Sequence, residues 1–289
     1  YMPLLGMGLI PALLVQVLKS YLSALELTRA ILLAVLGAAV MNAIANYILI
    51  FGNFGAPELG IVGAGIASLL SHTVSLVLLL AYALRKKPEH ELLKNFHRPH
   101  PEALGAVFWL GAPIGLTLLA ETGLFAASSI MMGWLGTIPL AAHGIALQIT
   151  SVSFMVPLGL SQAVTVRVGK AWGKSDAQDL RAAATAGMLI ATVALVLTMA
   201  AFLLMPTFLV GLFIDPTDPA QPEILAVGVT LLMVAALFQL VDFGQVMALG
   251  MLRGVQDTRL PMLIAIVSYW LIGMPVAYVL GFVLDWEGP

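Results

Sequence analysis

The chain has 289 residues, 61% of them hydrophobic and only 10% charged, and its mean hydropathy is +1.02. Soluble domains carry about a quarter of their residues as charges, so this composition excludes an ordinary cytosolic enzyme, a disordered tail and a secreted disulfide scaffold. With no cysteine and a net charge of −2, there is no disulfide framework or Cys-based metal site, and the 13 basic residues are too scattered for a nucleic-acid surface.

A polytopic helical membrane protein remains. A helix needs about 20 apolar residues to cross the hydrocarbon core. Eight stretches qualify, near 2–18, 30–51, 60–84, 105–133, 139–163, 182–213, 224–251 and 261–284. A β-barrel is excluded because these segments lack period-2 alternation and are too long for barrel strands. No signal peptide is visible. The chain opens on Tyr1, almost inside the first span, so a fragment of a longer protein is expected.

The basic residues alternate along the chain. Lys19 and Arg29 flank the first connection, and Arg85, Lys86, Lys87, Lys94 and Arg98 lie in the third. Arg167, Lys170, Lys174 and Arg181 lie in the fifth, and Arg253 and Arg259 in the seventh. The other connections and the tail carry acids instead: Glu58, Asp215, Asp218, Glu223, Asp285 and Glu287. The positive-inside rule then puts the odd-numbered connections in the cytoplasm and both chain ends outside.

Two acids fall inside spans: Glu121 near the middle of the fourth and Asp242 near the middle of the seventh. A charge at the bilayer centre costs about 2.5–3.5 kcal/mol on insertion scales. No Lys or Arg lies within the stretches read as spans, so each acid must be neutral, face a wet cavity or bind a cation. The bland alternative is a neutral carboxylic acid bonding a neighbouring helix. Intramembrane acids are functional by default, which favours a site.

Other polar residues are weaker signals. Asn42 and Asn46 are one helical turn apart on one face of the second span. By spacing alone they read as interhelical packing rather than ligand contacts. His143 near the start of the fifth span reads as an interfacial histidine rather than a proton relay. Gln148, Gln239 and Gln245 are either interhelical glue or site residues. Prolines 11, 113, 157, 206, 261 and 275 are expected to break spans, each removing a backbone donor. Pro113 and Pro157 are candidate hinges. The 14 methionines read mostly as lipid-facing or packing residues.

Leu-Thr-Arg at 27–29 and Asp-Thr-Arg at 257–259 each precede a span. An offset of 230 residues across six spans points to a parallel repeat of a six-helix unit, and so to about 12 spans in the whole protein.

Five stretches in order carry a family resemblance: PELGIVGAGIAS from Pro57, LGAPIGLTLLAE from Leu110, LGTIPLAAHGIALQI from Leu135, PLGLSQAVTVRVGKAWG from Pro157 and DFGQVMALGMLRGVQDTRLP from Asp242. With them, the chain resembles the multidrug and toxic compound extrusion (MATE) family in its NorM-like bacterial branch. The resemblance implies an all-α transporter of 12 helices in two lobes, of which this chain looks like helices 4 to 11. Residues 1–99 then correspond to the second half of the N-lobe with the cytoplasmic inter-lobe link, and 100–289 to most of the C-lobe. It also implies a monomeric antiporter of the bacterial inner membrane that expels organic cations in exchange for H⁺ or Na⁺. No cofactor, no nucleic acid and no enzymatic reaction are implied.

The resemblance assigns the coupling-ion and substrate site to Glu121 and Asp242, with Na⁺ as a possible occupant of that pair. It turns Asn42 and Asn46 from packing residues into N-lobe site residues, and adds Phe238, His143 and Gln148 around the C-lobe site. Phe238 stands where some Na⁺-driven members have tyrosine, and Gly144 where glutamine is common; both changes remove polar contacts near the C-lobe site. The implied mechanism is alternating access between two lobes, with cation and coupling ion competing for the carboxylates. The rival readings are a related flippase of lipid-linked sugars, an ion channel, and a non-transporting truncated membrane protein.

Overall fold

In the computed structural model the chain is described over residues 2–94, 100–217 and 219–283, with the backbone alone at 2–5. Arg98, Asp218, Asp285, Glu287 and the last residue of the expected eighth span lie outside the described residues. Eight helices are long and apolar enough to cross a membrane. The described residues form helices and turns, with no strand among them. The chain divides into two compact units, Tyr1–Pro99 and His100–Pro289.

The first unit holds α1 (Met2–Ala24), α2 (Thr28–Phe51) and α3 (Gly60–Lys86). α3 packs on both of the others, around Val15, Leu22, Ala34, Leu79 and Ala83. α2 stops at Gly52, whose φ of 69° is left-handed and suits glycine. The returning chain is tied by the Leu59 N–H donating to the Leu49 carbonyl at 3.0 Å. Gly63 sits against the same turn: a Cβ there would lie 2.5 Å from the Leu49 oxygen. Overpacking of this kind costs about 1–3 kcal/mol. Gly63→Ala is therefore expected to lower the melting temperature of the intact protein in detergent, and unchanged melting would show that the α2–α3 approach is loose.

The second unit holds α4 (Pro101–Leu135), α5 (Thr137–Gly173), α6 (Ala177–Leu204), the short α7 (Pro206–Gly211), α8 (Gln221–Gly254) and α9 (Arg259–Val283). α5 and α8 form the main seam and α6 packs on both. Ser161 Oγ donates to the Val246 carbonyl and Thr165 Oγ1 to the Gly250 carbonyl, each at 2.8 Å. Phe202, Val210, Leu232 and Ala236 fill one end of the core, and Val164, Val168, Ala191 and Met247 the other. Asp176 caps α6, its Oδ1 accepting from the Gln178 and Asp179 N–H groups at 3.0 and 2.9 Å.

Several helices outrun the stretches read as spans. At 37 residues, α5 is about 55 Å long, against a hydrocarbon core of about 30 Å. Its polar end carries Arg167 and Lys170 beyond the apolar stretch. The prolines also behave unequally. Pro11, Pro113 and Pro157 lie inside uninterrupted helices, contrary to the expectation that they break their spans. At Pro113 and Pro157 neighbouring side chains bury the site, and Thr117 Oγ1 donates to the carbonyl of Pro113 itself at 2.8 Å. Pro206 does end a helix. The expected span 182–213 is cut at Met205 (φ −130°, ψ 36°), and Pro206 starts α7, where its missing N–H costs nothing. Pro261 likewise lies in the first turn of α9. Pro275 follows a π-helical stretch, Val267–Gly273, within α9.

The paired Thr-Arg segments open matching turns. After α1, the Glu26 N–H donates to the Ser23 carbonyl and the Leu27 N–H to Leu22, both at 2.9 Å. After α8, the Gln256 N–H donates to Arg253 at 3.1 Å and the Asp257 N–H to Leu252 at 2.9 Å. Glu26 and Gln256 hold left-handed φ of 60° and 65°. The same left-handed turn joins α5 to α6 at Ser175, with φ 55°. Each turn satisfies carbonyls that a helix end leaves orphaned.

Candidate functional site

The second unit brings the two membrane-embedded acids onto facing helices. Asp242 on α8 is buried, at 7% exposure, and Glu121 on α4 is half-buried. Their charges lie within electrostatic reach of each other. Among the described residues, no hydrogen bond or ion pair occupies either carboxyl group.

The reading that no basic residue lies within the spans needs correction. α8 runs as continuous helix through Gly254, so Arg253 belongs to its last turn, and Glu121 lies within electrostatic reach of that guanidinium. Hydropathy ends the span near residue 251, whereas backbone hydrogen bonding carries the helix one turn further.

Gln239 stands one turn before Asp242 on α8 and is 1% exposed. Its Nε2 donates to Ser153 Oγ on α5 at 2.8 Å, and Ser153 Oγ donates in turn to the Thr150 carbonyl at 2.8 Å. The Gln239 Oε1 is buried without a protein donor. An unsatisfied buried acceptor is costly, and it suits a nearby proton or cation. Among the described residues no three His, Cys, Asp or Glu side chains gather into a metal cluster. A cation here would rest on the two carboxylates and on neutral oxygens such as this one.

α9 closes the acids from a third side. Tyr269 lies within electrostatic reach of both Glu121 and Asp242, and Gln245 Nε2 donates to its hydroxyl. Trp270 Nε1 donates to the Ala120 carbonyl at 3.2 Å, immediately before Glu121. The ring fits because residue 123 is glycine: a Cβ there would lie 2.8 Å from Trp270 Cζ2. Both aromatic residues lie in the π-helical stretch, a distortion that often marks functional sites.

Residues 113–279, more than half the chain, match the MatE family. This chain belongs to the MatE family. It is 42% identical over 293 residues to a probable multidrug resistance protein NorM of Agrobacterium fabrum, covering all of this chain and 62% of that protein. It is 43% identical over 291 residues to the protein of the same name in Rhizobium meliloti, again covering all of this chain and 62% of the relative. The chain thus spans about three-fifths of the length of these relatives. Among solved structures it superposes on MATE in the bent conformation with a TM-score of 0.82 at 21% identity, covering 98% of this chain and 61% of that one. It matches the outward-facing conformation of a multidrug resistance MATE family transporter with a TM-score of 0.71 at 23% identity, over 84% and 52% of the two chains. The fold is therefore the MATE helical fold, and the protein is a multi-pass membrane protein.

In this MatE chain the remaining candidates are placed as follows. Phe238 lies one turn before Asp242 and Phe125 one turn after Glu121, and their rings meet edge to face with centroids 6.5 Å apart. His143 is half-buried, its Nε2 3.4 Å from Ser128 Oγ across α4 and α5. Gln148 is exposed and makes no side-chain hydrogen bond among the described residues, so nothing ties it to the acids. In the first unit, Asn46 Nδ2 donates to Asn42 Oδ1 at 3.0 Å, while Asn46 Oδ1 is buried without a donor. Asn42 also lines a cavity of about 310 Å³ with Lys19, Ser68, Ser71, His72 and Ser75.

Sequence reasoning missed Tyr269, Trp270 and Arg253 around the acids, and Ser153 as the partner of Gln239. A usable signal was present for the aromatic pair. Ser-Tyr-Trp at 268–270 is a polar and aromatic cluster inside a span, shortly before Pro275. Pro275 has no N–H for the carbonyl four residues back, and the helix is π-helical just before it.

Proposed function

We propose that the intact protein is a secondary antiporter of the bacterial inner membrane, expelling hydrophobic organic cations in exchange for H⁺ or Na⁺. The observation that carries this reading is the pair Glu121 and Asp242. They are two acids on facing membrane helices, free of hydrogen bonds among the described residues and within reach of each other's charge. Drug efflux comes to this chain from the naming of its relatives as probable multidrug resistance proteins NorM.

In this proposal residues 1–99 belong to the N-lobe and 100–289 to the C-lobe, with the Lys/Arg-rich connections cytoplasmic. The carboxylates take either the coupling ion or the organic cation. Each ligand shifts the equilibrium between inward- and outward-open states only by its differential affinity for them, so competition for one acidic site links the two fluxes. The Phe125–Phe238 edge suits the apolar part of a cationic drug, because an aromatic face attracts cations. Asn42 and Asn46 form a second polar site in the first unit, and Pro113 and Pro157 are the proposed points of bending. The protein acts as a monomer and needs no cofactor beyond the coupling ion.

The test is efflux of a fluorescent organic cation from proteoliposomes containing the intact protein, under a Na⁺ gradient and then a pH gradient. One gradient is expected to drive efflux, and the variant carrying Glu121→Gln with Asp242→Asn is expected to lose it. Failure of both gradients on wild type would remove the antiporter reading. Persistence in the variant would move coupling to Asn42 and Asn46.

A further inference from the structure

A second pocket lies between α4 and the turn that joins α8 to α9. It has a volume of about 240 Å³ and is lined by Ala106, Trp109, Leu110 and the segment Gln256–Arg259. We propose that this pocket binds the head group of a phospholipid carrying both a phosphate and a primary ammonium, such as phosphatidylethanolamine.

Three observations carry it. First, Asp257 and Arg259 line the same pocket with opposite charges, yet neither forms an ion pair with any described residue. A zwitterion satisfies both: its phosphate accepts from the Arg259 guanidinium and its ammonium donates to the Asp257 carboxylate. Second, Thr258 is 4% exposed, lines the pocket and makes no side-chain hydrogen bond among the described residues. Its hydroxyl is open to the pocket, where a phosphate oxygen would accept from it. Third, the Arg259 guanidinium lies 5.5 Å from the centroid of the Trp109 ring. The indole holds the guanidinium in place without consuming its hydrogen-bond donors.

The surroundings specify a lipid rather than a soluble zwitterion. Arg259 begins the apolar span Arg259–Val283, which sets the pocket at head-group depth, where tryptophan concentrates. Phe108 adjoins Trp109 in the chain, Leu260 adjoins Arg259 and Leu263 follows one turn on; they are 66%, 55% and 55% exposed, apolar surface available to acyl chains. The matching turn after α1 has Leu27 where this one has Asp257, so the pair of opposite charges belongs to the second unit.

The experiment is native mass spectrometry of the delipidated intact protein titrated with dioleoyl phosphatidylethanolamine, phosphatidylcholine or phosphatidylglycerol. Wild type is expected to retain the ethanolamine lipid roughly fivefold better than the other two, the ratio for a partly exposed ion pair. Choline has no N–H to donate to Asp257, and glycerol has no charge. Asp257→Asn is expected to abolish the preference over phosphatidylglycerol, while Arg259→Ala weakens retention of all three. Unchanged melting temperatures identify these as losses of binding rather than of fold. Equal retention of the three lipids by wild type would overturn the proposal, as would a preference that survives both substitutions. Free phosphoethanolamine binding as tightly as the lipid would also overturn it, by showing that the occupant is soluble.

Discussion

Glu121→Gln and Asp242→Asn are each expected to cut gradient-driven efflux by about tenfold or more, and the double variant to lose no more than the worse single one. The expectation follows from the proposed role of the pair and from its geometry. The two carboxyl groups lie within electrostatic reach across α4 and α8, and the described residues offer neither of them a hydrogen bond. A cation held jointly is lost when either holder is neutralised, so the second substitution finds little left to remove. Independent sites would instead multiply their losses, because energies of distant sites add. Efflux rates of wild type, both single variants and the double variant in proteoliposomes close the cycle. A multiplicative double loss would mean that Glu121 and Asp242 act separately. Asn and Gln keep the side-chain shapes, so equal melting of the four proteins separates transport from folding.

Gly250→Leu is expected to prevent correct packing of the second unit, and Gly250→Ala to destabilise it measurably. A Cβ at this position would lie 2.4 Å from Ser161 Oγ, 2.7 Å from the Ser161 carbonyl oxygen and 3.1 Å from its Cα. Backbone cannot give way as a flexible side chain can. Ser161 is also anchored to the Val246 carbonyl and Thr165 to the Gly250 carbonyl, so moving α5 outward stretches both bonds. Four residues on, Gly254 repeats the approach, 3.0 Å from the Thr165 oxygen by the same measure. This small-xxx-small pattern is how membrane helices gain packing where no hydrophobic force joins them.

Alanine in a helix gains about 1 kcal/mol over glycine, and the overpacking costs about 1–3 kcal/mol, so the clash wins at Gly250. Gly244 on the same helix meets nothing within 4 Å, and Gly244→Ala is expected to hold or raise the melting temperature. Thermal unfolding of the intact protein in detergent reads the contrast. A Gly250→Ala protein melting like Gly244→Ala would show that the α5–α8 seam is not tight.

The eight spans were legible because about 20 consecutive apolar residues is a local property, and the lipid-facing surface leaves no other use for them. Glu121 and Asp242 stood out for the same reason: a lone acid in an apolar run is costly wherever the helix is later placed. The motifs that mark the MatE family are also local.

The tertiary structure decided what depends on helix rotation and neighbours. Six prolines look alike in the sequence, yet Pro113 and Pro157 stay within continuous helices while Pro206 ends one. The cost of a missing N–H depends on what packs around the freed carbonyl. Arg253 lies one turn beyond the apolar stretch, and only the tertiary fold brings it within reach of Glu121. Trp270 meets the Ala120 carbonyl because of the approach of α9 and the absence of a side chain at Gly123. Gln239 was an ambiguous polar residue until its neighbours supplied Ser153 for one end and nothing for the other. Hydropathy acts along one helix and is written in it. A hydrogen bond or a charge pair between helices needs two surfaces at one angle, and that angle is set by the packing of all of them together.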